Sequence, residues 1–229
     1  KYMDGAFMWL LLHTEAVVPT EDVTRVEALL NMMDGCLNEV NTASPEALEV
    51  VFVYCAVWAL GSSLGVSDDG TDYRKMFSDW WRGNSSDSVK FPPRDTVFDY
   101  WLNPETNTFD SWTKSPFFYS VDYDSRATPM SQVTVPTPET CSVSYWMDLL
   151  VKMKKPVMLA GPSGSGKSAL VKGMLSGFAG SGNDGGDASG PTMSSATINF
   201  NYYTSAEVLQ VCLELPLEKK TGVNFGPPG

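Results

Sequence analysis

Histidine is nearly absent from this chain: His13 is the only one among 229 residues. That excludes a multi-histidine metal site and a Ser-His-Asp triad within the sequence, and His13 itself is expected to be structural. Basic residues are also scarce, 16 Lys and Arg against 27 Asp and Glu, for a net charge of −11. Nucleic acid selects clustered Lys and Arg, so this balance argues against it as a partner. The one basic cluster, Lys152, Lys154 and Lys155, reads as a solvated helix end. There is no C-x-x-C pair among Cys36, Cys55, Cys141 and Cys212. Each lies among apolar neighbours, so all four are expected to be reduced and buried, as in an intracellular protein. The N-x-S pattern at Asn84 is then read as chance.

Long hydrophobic runs are missing too. Ala6 to Leu12 and Val50 to Leu60 are apolar but far shorter than the roughly 20 residues that span a bilayer, so no membrane partner is expected. Asp4 and the lack of a small-residue cleavage site argue against a signal peptide. The chain has no initiating Met and stops at Gly226-Pro227-Pro228-Gly229. It is expected to be part of something longer.

Three regions follow one another. Residues 1–66 read as helical. Thr20 is the expected N-cap of a helix carrying Val23, Val26, Leu30 and Met33 at helical spacing and ending at Gly35. Ser44-Pro45 opens a second helix that is apolar on all sides and is expected to be buried. Residues 67–134 are rich in tryptophan and proline. Asp68-Asp69 reads as a turn. Thr96 to Leu102 and Thr108 to Trp112 read as two strands joined at Asn103-Pro104. Without interleaved basic residues, the aromatics are expected to pack between domains and not to stack on bases.

From residue 135 the pattern is helix, strand, loop, helix, strand, helix. Thr137-Pro138-Glu139 starts a helix with Val143, Trp146, Met147 and Leu150 on one face. Pro156 to Ala160 is a short apolar run of the kind buried on both faces of a parallel sheet. A helix with Leu170, Met174 and Phe178 follows the loop. Ala179 to Pro191, rich in Gly, Ser and Asp, reads as an exposed, mobile insertion. Ala196 to Tyr203 is a second expected strand. Thr204 and Glu207 read as a capping box for a helix whose buried face is Val208, Val211, Cys212 and Leu215. Units of this kind build a doubly wound α/β sheet.

The chemistry lies between the first strand and the helix. Gly161, Pro162, Ser163, Gly164, Ser165, Gly166, Lys167 and Ser168 fit G-x-x-x-x-G-K-[ST] in the strand–loop–helix context that gives the pattern meaning. Glycines let successive N–H groups turn toward oxygen anions, and the helix starting near Gly166 adds its positive end. Lys167 suits the β- and γ-phosphates of ATP or ADP, and Ser168 suits Mg²⁺. Hydrolysis needs further groups. After Ser168 no apolar run ends in paired acids, Asp184 and Asp187 fall in the insertion, and no arginine follows. The chain alone is therefore expected to be inactive. The loop by itself also suits an ABC ATPase or a guanylate kinase. An LSGGQ-like signature is missing for the first, and the loop lies too far from the start for the second.

Longer strings narrow the choice. Ile198 to Gly229 resembles the stretch leading to the Walker B strand in the third AAA+ module of axonemal dynein heavy chains. Val51 to Gly61, Tyr73 to Trp81 and Lys90 to Trp112 are similar to the segment joining the second and third modules. The resemblance implies an α/β P-loop AAA+ nucleotide-binding core, here partial, over residues 135–229. A helical lid subdomain (1–66) and a connecting segment with a β-hairpin (67–134) would precede it. It implies an ATP-binding part of a microtubule motor ATPase of cilia or flagella, with a regulatory site; a structural ring segment with a vestigial loop is the alternative. It also implies as partners the remaining AAA+ modules, intermediate and light chains, and microtubules through other regions. Val133 to Thr140 resembles the loop lining the adenine pocket, which makes Val135 and Pro136 candidate adenine contacts.

Overall fold

The computed structural model describes residues 2–84, 89–121, 123, 126, 135–180 and 195–226, with backbone only at 178–180. The chain divides into two compact units, residues 1–170 and 171–229.

In the first unit the apolar helix is the axis. α1 spans Met3–His13, α2 Asp22–Cys36 and α3 Pro45–Gly61. Ser44 Oγ accepts from the Ala47 amide at 3.1 Å and Pro45 occupies the first turn, as the sequence predicts. Val51 and every residue from Val53 to Gly61 are buried. α2 packs along α3, and α1 also contacts it. Burial on all sides explains why α3 carries no polar stripe.

α2 departs from expectation in three ways. Its N-cap is Glu21, with no side-chain cap, while the Thr20 hydroxyl donates to the Val18 carbonyl. Its buried apolar residues are Leu29 and Met32, whereas Val23 and Leu30 are 76% and 61% exposed. Two helical rows offered apolar residues, and the packing against α3 and α5 selects the second. Gly35 does not end the helix either. It lies inside α2, where an added Cβ would meet Leu149 and Met153. The glycine serves a close approach and not a cap.

α4 (Tyr73–Asn84), β1 (Tyr100–Asn103) and β2 (Thr108–Ser111) form the connecting part. The strands pair antiparallel from Tyr100↔Ser111 to Asn103↔Thr108. The first is shorter than expected because Val97–Asp99 is a 3₁₀ turn closed by a Thr96–Asp99 capping box; the second stops before Trp112, which opens another 3₁₀ turn. Asn107, at φ 52°, closes the hairpin and donates to the Ala47 carbonyl at 3.0 Å, tying the hairpin to the start of α3. Ser67 to Thr71 is the expected turn, held by Asp69 accepting from the Thr71 amide.

The tryptophans pack inside this unit. Trp58 meets Phe98 and Trp112 edge-on at 5.3 and 6.1 Å. Trp146 stacks on Tyr54 at 5.2 Å. The Trp112 indole donates to the Phe98 carbonyl at 2.8 Å in a buried setting. His13 lies against Trp9, with ring centroids 5.5 Å apart.

α5 (Pro138–Lys152) starts at a reciprocal Thr137–Thr140 box. It buries Cys141, Ser142, Trp146 and Met147; Val143 and Leu150 are half-buried. Lys154, at φ 58°, ends it: its amide donates to Val151 O and that of Lys155 to Leu150 O, both at 2.8 Å. This is a Schellman arrangement with lysine where glycine is usual.

The two expected parallel strands are not formed. Pro156–Ala160 and Ala196–Tyr203 belong to no ladder among the described residues, and Met158 is 76% exposed. A parallel strand exists only through hydrogen bonds to neighbours on the sheet, and those bonds are not made here. α6 spans Lys167–Gly180 and crosses the division between the units. Its helix includes the backbone of Ala179 and Gly180, and residues 181–191 of the expected insertion lie outside the described residues.

In the second unit, α7 (Ala206–Glu214) is capped by Ser205 and not Thr204; Ser205 Oγ accepts from Val208 N at 3.3 Å. Thr204 instead accepts from the Asn201 amide. Of the expected buried face, Val208, Val211 and Leu215 are exposed, with Val211 at 62%, and Cys212 is half-buried; α7 fully buries no residue. β3 (Glu218–Thr221) and β4 (Asn224–Gly226) form an antiparallel hairpin that the sequence reading missed. Its signal is Gly222-Val223, with glycine at φ 61° in the first turn position.

Candidate phosphate-binding loop

The candidate site begins where α5 ends. Lys154 turns the chain out of α5, residues 156–160 lead away, and the loop from Gly161 to Gly166 runs into the first turn of α6. Gly164 and Gly166 have φ of 79° and 83°. Other residue types adopt that region only at a cost of about 1–2 kcal/mol. An added Cβ at either position would meet nothing within 4 Å. The glycines are therefore required by backbone conformation and not by crowding.

Lys167 folds back over the loop it follows. Its ammonium donates to the carbonyl oxygens of Gly161 at 2.8 Å and Pro162 at 2.6 Å, and to Ser165 Oγ at 3.0 Å. Three oxygens thus hold a cation at the mouth of the loop. The Leu170 amide donates to Gly166 O at 3.0 Å and closes the first turn of α6. Among the described residues, the amides of Gly164, Ser165 and Gly166 donate to no carbonyl. A fixed cation, unspent amides and a helix N-terminus fit the oxygens of a phosphate. Ser168, in that first turn, is exposed, as are Pro162 and Ser163.

Val135 is 62% exposed and Pro136 half-buried, just before α5. Among the described residues neither is hydrogen-bonded to the loop. Residues 133 and 134 of the same stretch lie outside the described residues, as do Asp184 and Asp187. Lys152 pairs with Asp148 at 2.8 Å and keeps its side chain largely in solvent, as a helix end should. No described helix is long and apolar enough to cross a membrane. No group of three or more metal-binding side chains occurs among the described residues.

The sequence reading missed a cavity of about 280 Å³ in the first unit, lined by Arg74, Phe98, Asp99, Pro138 and Glu139 among others. The Arg74 guanidinium lies over Phe98 at 4.5 Å and Trp58 at 5.5 Å. Burial holds it below the usual guanidinium range, while Glu139, Asp99 and Asp72 oppose that shift. Nothing in the local sequence around Arg74 signals this, because its ring partners come from α3 and the 3₁₀ turn.

This loop defines a P-loop nucleotide-binding protein. The family described as P-loop containing dynein motor region matches residues 122–229. The family described as dynein heavy chain AAA lid domain matches residues 1–114. The chain belongs to the dynein heavy chain family. It is 37% identical to the flagellar outer arm dynein alpha chain of Chlamydomonas reinhardtii. It is 37% identical to the ciliary dynein beta chain of Heliocidaris crassispina and 35% identical to dynein axonemal heavy chain 9 of Homo sapiens. Each alignment covers all of this chain and 5% of the relative. The motor-region match places the chain in the α/β P-loop AAA+ class.

Proposed function

We propose that this chain is the ATP-binding portion of an axonemal dynein heavy-chain ring, and that its site regulates the motor without being its main hydrolytic centre. The observation that carries the reading is the Lys167 ammonium held over a glycine loop at the start of a helix. The ciliary, flagellar and axonemal names of the relatives support the setting. In this reading residues 1–66 are the lid of one module, 67–134 the connecting segment, and 135–229 the first part of the next module.

The phosphates of ATP or ADP lie against Gly161 to Ser168, with Lys167 at the β- and γ-phosphates and Ser168 on Mg²⁺. Val135 and Pro136 flank the adenine. The other modules of the ring are its immediate partners; intermediate and light chains and microtubules are engaged elsewhere. Positioning groups supply most phosphoryl-transfer catalysis, and this chain carries no arginine after the loop, so alone it turns over no ATP. The test is a structure with an ATP analogue and Mg²⁺. Phosphates within hydrogen-bonding distance of the Gly164–Ser168 amides are expected; phosphates bound elsewhere overturn the assignment.

A further inference from the structure

Arg74 stands apart from the phosphate loop. It lines the cavity of about 280 Å³ that the starts of α4 and α5 share with the 3₁₀ turn Val97–Asp99. Its guanidinium carbon lies 4.5 Å from the ring centre of Phe98 and 5.5 Å from that of Trp58. Stacking of this kind holds the cation in place but uses none of its five N–H donors. Nε is buried and makes no hydrogen bond. Among the described residues no carboxylate pairs with it, although Asp72, Asp99 and Glu139 line the same cavity. Asp72 Oδ1 accepts from the Lys75 amide at 2.9 Å. Asp99 Oδ2 accepts from the Thr96 amide at 2.7 Å and the Thr96 hydroxyl at 2.6 Å. Both acids are thus committed to capping turns. Lys75, the second cation of the lining, meets Asp79 at 3.2 Å, with both side chains largely in solvent.

We propose that Arg74 is the docking point for an aspartate or glutamate carried by another segment of the same heavy chain, outside these 229 residues. A planar guanidinium with unspent donors matches a carboxylate, which accepts two of them side by side. Size narrows the class. The cavity is smaller than the roughly 300–1,000 Å³ of small-molecule sites, so it suits one side chain and not a nucleotide. Charge narrows it further. A phosphate group carries about −1.5 to −2 and would meet Glu139, Asp99 and Asp72 in the same space. A carboxylate brings a single charge to Arg74 and Lys75.

The same numbers favour a tethered partner. One charged hydrogen bond contributes about 10- to 150-fold in affinity, too little to hold two free proteins together. A segment of the same polypeptide needs no more, because tethering raises its effective concentration. Such segments are plentiful, since this chain covers only 5% of each relative. The docked acid would join α4 to the start of α5, the helix that leads to the phosphate loop. Bound nucleotide has no part in this contact.

The test uses the intact heavy chain and a zero-length carbodiimide, which joins a carboxylate to an amine only where the two touch. Cleavage before aspartate releases Asp72–Ser78, which carries both Arg74 and Lys75. This peptide is expected to be joined through Lys75 to an Asp or Glu from outside residues 1–229. The Lys75–Asp79 pair gives a link of its own and reports an intact α4. Arg74→Gln should cut the outside link about fivefold or more and leave the Lys75–Asp79 link. Arg74→Lys places an amine where the acid docks, so the same outside residue should now be joined at position 74. Lys75 linked only within residues 1–229 would overturn the proposal. So would a link to a different polypeptide, or an outside link that Arg74→Gln leaves unchanged. If Arg74→Gln also loses the Lys75–Asp79 link, α4 has come apart and Arg74→Lys decides: no outside link at position 74 overturns the proposal.

Discussion

Gly35 of α2 faces Leu149 of α5 so closely that a Cβ at position 35 would lie 2.8 Å from Leu149 Cγ and 2.6 Å from Met153 Sδ. Ordinary carbon contacts are near 3.5–4.0 Å. The missing side chain is therefore what lets α2 and α5 approach at this point, and that contact holds α5, the helix leading to the phosphate loop.

Gly35→Ala should lower stability by about 1–3 kcal/mol through overpacking, despite alanine's better helix propensity. Gly83, near the end of α4, is the control, because an added Cβ there meets nothing within 4 Å. Gly83→Ala should be neutral or stabilise by up to about 1 kcal/mol. Urea unfolding followed by tryptophan fluorescence measures both. All seven tryptophans lie within residues 1–170, so the signal reports the first unit. Equal effects of the two substitutions would refute the close-approach reading.

The same glycine shows how far the sequence could be read. Gly35 near a helix end fits the rule for a C-cap, and only the partner helix reveals that its lack of a side chain is the point. Of the α2 stripe Val23, Val26, Leu30 and Met33, the first three are exposed and only Met33 packs against the core, while Leu29 and Met32 are buried; both sets lie at helical spacing, and the choice between them belongs to α3 and α5. The burial of α3, its Ser44-Pro45 start, the β1–β2 hairpin and the glycine turn into α6 were legible because each is fixed by neighbours in sequence. Pro156–Ala160 and Ala196–Tyr203 read as strands by composition, yet a strand needs partners that composition does not supply. At the candidate loop, the turns at Gly164 and Gly166 were legible from the glycines; the folding of Lys167 back onto Gly161, Pro162 and Ser165 was not, because it follows from where the carbonyls point.

Trp112 offers a test of the core. Its indole N–H is the donor to the buried Phe98 carbonyl. Trp112→Phe leaves that oxygen without this donor and removes part of a ring packed against Trp58. Loss of the partner alone should cost about 1–3 kcal/mol. The variant's urea midpoint should fall accordingly, with an unchanged slope. A midpoint within error of the parent would show that the carbonyl finds another donor.

Gly164 and Gly166 should be intolerant of alanine for reasons of backbone alone. Nothing lies within 4 Å of either added Cβ, so the strain is that of φ near 80°, about 1–2 kcal/mol. Nucleotide affinity should fall roughly 5- to 30-fold for each alanine by that conformational term. Asparagine tolerates the left-handed region better and should recover part of the loss in titrations with a fluorescent ATP analogue. Alanine variants that bind like the parent would mean that the loop changes conformation before it binds.

The last test belongs to the whole motor. Lys167 gives the loop its cation, and its three oxygen contacts are ones a polyphosphate would have to compete with. Lys167→Ala should therefore weaken nucleotide binding here about 10- to 150-fold, the range for losing a charged hydrogen bond of about 1.5–3 kcal/mol. If the principal hydrolysis occurs in a different module, basal ATPase activity should survive. What should fall is the coupling between modules, because bound nucleotide can bias the ring only through a difference in affinity between its conformations. Microtubule-stimulated turnover and gliding speed should drop more than basal turnover when parent and variant motors are compared. Complete loss of basal turnover in a folded variant would make this the main hydrolytic site. Unchanged gliding would instead mark the loop as a structural remnant.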